Sequence, residues 1–356
     1  MSRLPTPLTL PDHGPEHNEH NNPTSEDHGA HGAHRDDNNR DAASGATGRS
    51  AGPRSLRRRL RGETATAWAF VSPSVLIILG LSVIPVAWSL LLSFQADDLV
   101  TPSRWVGLGN YHALVRDPHF GQAVRNTLLY TALYVPLSIG LGLSLALVLN
   151  QRIRLVSMYR TLMFVPFVIS ATAQGVLFSF ILDPEFGAAN SVLHKLGISA
   201  QGFLSDPGQA LLILVAISLW SGTGFCVVVT LAALQDVSPS LIEAARLDGA
   251  GRWHLLRHVI LPALTPVLVF LLLWQTINAL QVFDLVYVTT KGGPLGSTTV
   301  IVYFIWEQAF KNFTAGYGAA AAYALALALL LVAAVPRVAR AVRGRRENHR
   351  LEGAAR

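Results

Sequence analysis

Polar residues inside an apolar run are the first places to look for chemistry. The stretch WQTINALQVFD, Trp274 to Asp284, carries Trp274, Asn278 and Gln281 at i, i+4 and i+7, so a helix presents all three on one face. An indole beside two amides can hold a sugar by stacking and hydrogen bonding. Trp274, Gln275, Asn278 and Gln281 are therefore a candidate lining for a substrate pathway, with Asp284 as a neighbour. The same amides would serve equally well as hydrogen-bonding groups between packed helices, and the residue types leave both readings open.

A second segment, SPSLIEAARLDGAGRWHLLRHVILPALTP, runs from Ser238 to Pro266. Ser238 is placed to cap a helix with Pro239 at its first position, and Gly249 stands at the stop. Trp253, Leu256 and Ile260 then recur at helical spacing while Arg252, Arg257 and His258 point elsewhere, which predicts a second, amphipathic helix ended by the bends at Pro262 and Pro266. Taken alone, this helix-turn-helix also fits an interfacial loop whose arginines set topology.

Other groups point away from catalysis. The run HGAHGAH spaces His28, His31 and His34 three apart, but its glycines leave the backbone unfixed, and a solvated tail is the reading taken, with no metal site. KGGPLGST, Lys291 to Thr298, has its lysine before the glycines, whereas a phosphate-binding loop needs GxxxxGK[ST]. It reads as a turn. The single cysteine, Cys226, lies in an apolar run and reads as a small buried hydrophobe. No histidine falls inside a span, and Asp284 has no acidic partner, so no catalytic residues are assigned.

The elements that position these residues follow from composition. The 356 residues are 51% hydrophobic and 14% charged, with the apolar residues gathered into runs of bilayer length. Six spans are expected, at about 68–94, 124–149, 162–182, 210–234, 259–283 and 318–335. Residues 1–53 lack the aliphatic content to fold and are read as a disordered His-rich tail. A permease domain occupies 54–345 and a short basic tail 346–356. The net charge of +6 comes from arginines segregated to one side: 54–61, 152–160, 246–257 and 337–346. Such a bias marks cytoplasmic loops, so both termini are expected in the cytoplasm, in agreement with an even span number. Nothing here resembles a base-reading module, so nucleic acid is not an expected partner.

EAARLDGA followed by ILP resembles the loop shared by inner-membrane permeases of binding-protein-dependent ABC importers. Glu243, Ala244, Ala245, Asp248, Gly249, Leu261 and Pro262 fall on that pattern, and Ala250 completes its EAARLDGA half. Further stretches resemble the carbohydrate-uptake branch, the maltose and glycerol-phosphate type: Arg104 to Thr131, Met158 to Ser170, Asp183 to Gly197 and Val282 to Pro294. The likeness covers roughly Trp68 to Arg340, and the His-rich tail departs from it.

The resemblance implies an all-helical integral membrane fold of the type I ABC importer permease kind. It implies a coupling loop at 238–262 that docks on an ATPase, a second homologous permease, two ATP-binding cassette subunits and an extracytoplasmic solute-binding protein. The chain has no Walker motif, so ATP and magnesium are expected on the partner, no cofactor is expected here, and a bacterial cytoplasmic membrane is the expected location. An ion-coupled secondary transporter is the rival, but such proteins carry intramembrane carboxylates and inverted repeats that these spans lack.

Overall fold

The computed structural model describes residues 68–98, 102–151 and 154–354, with side chains through 334. The His-rich run, the arginines at 54–61 and Arg152 lie outside the described residues. Helix α1 is Trp68–Leu92. A two-residue hairpin follows, Gln95–Ala96 (β1) paired antiparallel with Arg104–Trp105 (β2). Next come α2 (Gly109–Arg116), α3 (Pro118–Leu149), α4 (Val156–Val168), α5 (Ala171–Ile181) and α6 (Ala188–Lys195). The remainder is α7 (Ala210–Gln235), α8 (Pro239–Leu247), α9 (Arg252–Leu255), α10 (Leu261–Leu280), α11 (Asp284–Val288), α12 (Ile301–Trp306) and α13 (Ala315–Ala354).

Among the described residues, five helices are long and apolar enough to cross a bilayer, and a sixth crossing requires counting α4 and α5 together. The third span expected at about 162–182 is this bent pair: the chain turns by 95° between α4 and α5. Pro166 removes a backbone donor just before the break, and Ile169 and Ser170 are extended. Ser170 then caps α5 by accepting from the Ala173 N–H at 3.3 Å. Gln174, buried, donates through Nε2 to the freed carbonyls of Pro166 (3.0 Å) and Ile169 (2.7 Å). The Pro166 carbonyl also accepts the Ile169 N–H at 3.3 Å, and Gln174 supplies the Ile169 carbonyl with its partner, which helps make the bend tolerable among lipid tails. Gln174→Leu is expected to destabilise the fold by about 1–3 kcal/mol, the Ile169 carbonyl losing its donor and the Pro166 carbonyl one of two. A melting temperature unchanged from the unaltered protein in detergent would contradict that role.

Two prolines in long helices are accommodated by a different device. π turns at Leu79–Val83 and Leu256–Ile260 directly precede the helical segments that carry Pro85 and Pro262 near their starts. The wider ring closes i to i−5, as in the Leu261 N–H that donates to Leu256 O, and so moves the register past a residue with no donor.

The core forms where α3, α7 and α10 pack. At one end Ala146, Leu149, Val227, Leu231, Leu234 and Leu264 are buried together. Towards the other, Tyr130, Tyr134, Leu214, Ile217, Ala279 and Val286 form a larger cluster. Beyond it, Leu114, Ala123, Phe304 and Ala321 join α2, α3, α12 and α13. α1 buries none of its apolar window. Its link is to α13, where the Tyr323 hydroxyl bonds the Val86 carbonyl and lies 3.1 Å from the Ser89 hydroxyl. α13, the helix of the last expected span, runs to Ala354, well beyond the end expected at 335, with its apolar stretch at Ala315–Ala334.

Candidate functional site

The loop between α7 and α10 is built as follows. α8 begins at Pro239 after Ser238, as expected, but the Ser238 hydroxyl lies 2.7 Å from the Ser240 hydroxyl and makes no side-chain cap. The far end closes as a Schellman motif. Gly249, at φ +80°, donates to Arg246 O (3.1 Å), and Ala250 donates to Ala245 O (2.9 Å). Open space surrounds the Gly249 Cα, so the left-handed backbone alone requires glycine there.

The second helix differs from expectation in two respects. It is not ended by bends at Pro262 and Pro266: the π turn carries α9 into α10, and Arg252 to Leu280 is one helical rod. Its buried anchor is Leu255 (8% exposed) rather than Trp253, which is 71% exposed. Leu256 and Ile260 are half-buried. A cleft of about 350 Å³ opens between α8 and α9, lined by Ala245, Asp248, Gly249, Ala250, Gly251, His254, His258 and Val259. The rings of His254 and His258 stack at 4.1 Å. Glu243, Ala244, Asp248 and Pro262 are exposed, and Ala250 and Leu261 half-buried. Leu241 and Leu247 are uncovered as well. A folded loop that displays both apolar and acidic side chains has the composition of an interface.

The second group of predicted residues divides between two environments. Trp274, Asn278 and Gln281 are exposed on one side of α10. The Asn278 amide donates to its own helix at Trp274 O (2.8 Å). Gln275 instead turns into the core, 3% exposed. Its Nε2 donates among Tyr134 OH (3.1 Å), Ser138 Oγ (3.3 Å) and Cys226 Sγ (3.3 Å), linking α10 to α3 and α7. A Cβ at Gly222 would overlap the Tyr134 hydroxyl, so glycine there admits the phenol. Tyr130 adds a bond from its hydroxyl to Ser218 Oγ at 2.7 Å. Cys226, fully buried, belongs to this polar node.

The spacing within α10 could not show what other helices contribute. Trp274 lies between Phe225 (5.6 Å between centroids) and Phe270 (6.1 Å), and Phe225 stacks on Phe167 (5.2 Å). A row of rings thus crosses from α4 over α7 to α10. In the sequence its one trace is aromatic residues in three separate spans, and the hydroxyls of Tyr134 and Ser138 stand at i, i+4 in a fourth. Asp284 is exposed at the start of α11.

Long apolar helices, a broken span and an uncharged polar node where helices pack define a polytopic membrane protein. Comparison with known proteins makes the assignment specific. Residues 138–345 match the model of the binding-protein-dependent transport system inner membrane component, and the chain belongs to that family. It is a permease, and the members of that family are transporters.

A probable ABC transporter permease protein of Pyrococcus horikoshii is 33% identical over 74% of this chain and 91% of its own length. The lactose transport system permease protein of Rhizobium radiobacter is 34% identical over 73% of this chain and 89% of its own length. The sulfoquinovosyl glycerol transport system permease protein of Agrobacterium fabrum is 32% identical over 78% and 92%. In three dimensions, a chain of the bacterial ABC transporter involved in the import of alginate matches with TM-score 0.71 at 24% identity, covering 81% of this chain and 99% of that one, so the two share a fold.

Proposed function

We propose that this chain carries a sugar or related polyol across the bacterial cytoplasmic membrane, as one of two permeases in an importer powered by a separate ATPase. The observation that carries the reading is the α8–α9 loop. Its Schellman closure, exposed Glu243 and uncovered Leu241, Leu247 and Trp253 offer a preformed surface to a partner. On this reading ATP and magnesium sit on that partner, and the arginine bias of the sequence supports a cytoplasmic position for the loop and both termini.

Substrate chemistry is drawn from two sources. Relatives named for lactose, trehalose/maltose and sulfoquinovosyl glycerol transport supply the class. The aromatic row and the polar node supply matching groups: ring faces for stacking, and the hydroxyls and amide of Tyr134, Ser138 and Gln275 for hydrogen bonds. Polar side chains at membrane depth are expensive unless they face protein or water, which favours a pathway that opens beside them. Trp274, Asn278 and Gln281 line the same pathway. An extracytoplasmic solute-binding protein delivers the substrate, as in the solved alginate transporter bound to its periplasmic protein.

The test uses vesicles holding the assembled complex, ATP inside and labelled sugar with its binding protein outside. Uptake is expected to persist after an ionophore collapses the membrane potential and to stop when ATP is removed. Uptake that follows the potential and ignores ATP would establish an ion-coupled transporter instead.

A further inference from the structure

The cleft between α8 and α9 holds a pair of side chains that partner docking does not account for. His254 and His258 stand at i and i+4 on the helical rod that begins at Arg252, so both project from one face. Their rings stack with centroids 4.1 Å apart and planes inclined by 29°. Both residues are exposed and line the cleft, so neither is a core imidazole held by packing. Among the histidines with described side chains, this is the one pair at chelating spacing, the HxxxH by which a helix offers two imidazoles to zinc.

The pair is also held as metal ligands are held. Nδ1 of His258 lies 3.2 Å from the His254 carbonyl oxygen. A carbonyl can only accept, so this nitrogen carries the proton, and the lone pair of the neutral ring is left on Nε2. Donation from the far nitrogen to a backbone carbonyl fixes the tautomer and aims the ligating one. Two nitrogens on one ion, each at about 2.0–2.1 Å, lie about 3 Å apart. Rings already stacked at 4.1 Å reach that separation with a small tilt at their coordinating edges. Asp248 lines the same cleft, but among the described residues no three such side chains are placed to hold a metal. Water therefore completes the coordination, as in an open site rather than a structural one. Arg252 and Arg257 are exposed on the same rod, and salt screens their repulsion of a dication. The donors select the ion: magnesium and calcium take oxygen ligands, whereas imidazole suits zinc, nickel and copper.

We infer that His254 and His258 form a chelate site for a divalent transition ion of the zinc, nickel or copper class, and that an ion bound there competes with a partner for the α8–α9 cleft. The site follows from the pair alone. The competition rests on the proposed function, which makes this loop the docking surface of the ATPase.

The experiment uses the full-length permease in detergent, purified without a polyhistidine tag. In every sample the six histidines from His13 to His34 are replaced by alanine, so that the His-rich tail contributes no ligand. Titration with zinc chloride against a chromophoric chelator is expected to show one ion bound per chain. His254→Ala and His258→Ala are each expected to lower the affinity about tenfold or more, and the double variant no further, because either loss breaks the chelate. Affinity unchanged in the single variants, or losses that add in the double one, overturns the site. In a second arm, zinc added to the permease before the ATPase is expected to reduce ATPase recovery about tenfold, and to have no such effect on His254→Ala. Recovery that zinc leaves unchanged, or lowers equally in both, overturns the competition. If the permease recruits no ATPase even without zinc, the proposed function fails, while the site stands or falls by the titration.

Discussion

Glu243→Lys is expected to leave the permease in the membrane while reducing the ATPase that co-purifies with it about tenfold or more, the scale of a lost charge-assisted bond plus a new repulsion. Glu243 is exposed on α8 and makes no hydrogen bond or ion pair among the described residues, so the fold should survive its reversal. Gly249→Pro attacks the same surface through the backbone. Proline is fixed near φ −65° and cannot adopt the +80° that closes α8, so the loop would lose its shape while α10 kept its own. Tagged protein extracted in mild detergent, with partners identified by mass spectrometry, supplies the measurement. Full ATPase recovery and normal uptake by both variants would remove the loop from the coupling path.

The second large effect is expected at Gln275. Gln275→Leu keeps the volume but removes the donor that Tyr134, Ser138 and Cys226 share. Uptake should fall about tenfold or more with the complex still assembled, because buried polar groups left without partners cost about 1–3 kcal/mol. Gln275→Glu separates geometry from chemistry, since it retains the shape but supplies acceptors in place of donors. If Gln275→Leu transported at the normal rate with a normal half-saturating substrate concentration, neither the node nor its place on the pathway would survive.

Much of the fold was legible because bilayer thickness writes itself into run length: α1, α3, α7 and α13 begin or end within a few residues of the apolar runs. The 95° bend was not, since Pro166 looked tolerable in a span and hydropathy is blind to backbone direction. Ser170 followed by Gln174 was the available signal, a cap with an amide one turn on. In the loop, Gly249 could be placed from its position after EAARLD, whereas Trp253 misled because helical spacing names a face without saying what covers it.

The site residues show the same division. Trp274 and Gln275 are adjacent in sequence but about 100° apart around the helix, so they could not share an environment. Only the neighbouring helices decide which one meets Tyr134 and which meets Phe225. Residues that complete an arrangement from other helices leave little trace in the sequence of α10 itself.

The unbroken helix from Arg252 to Leu280 has a mechanical consequence. At roughly 1.5 Å per residue, Gln275 stands about 35 Å along the rod from Arg252. A tilt of about 5° about the Arg252 end would then carry Gln275 sideways by about 3 Å, roughly the length of one of the bonds it makes. The rod is a lever with a long arm. A bend at Pro262, the arrangement expected from the sequence, would have spent that motion locally; a helix continuous through the π turn carries it on to Gln275.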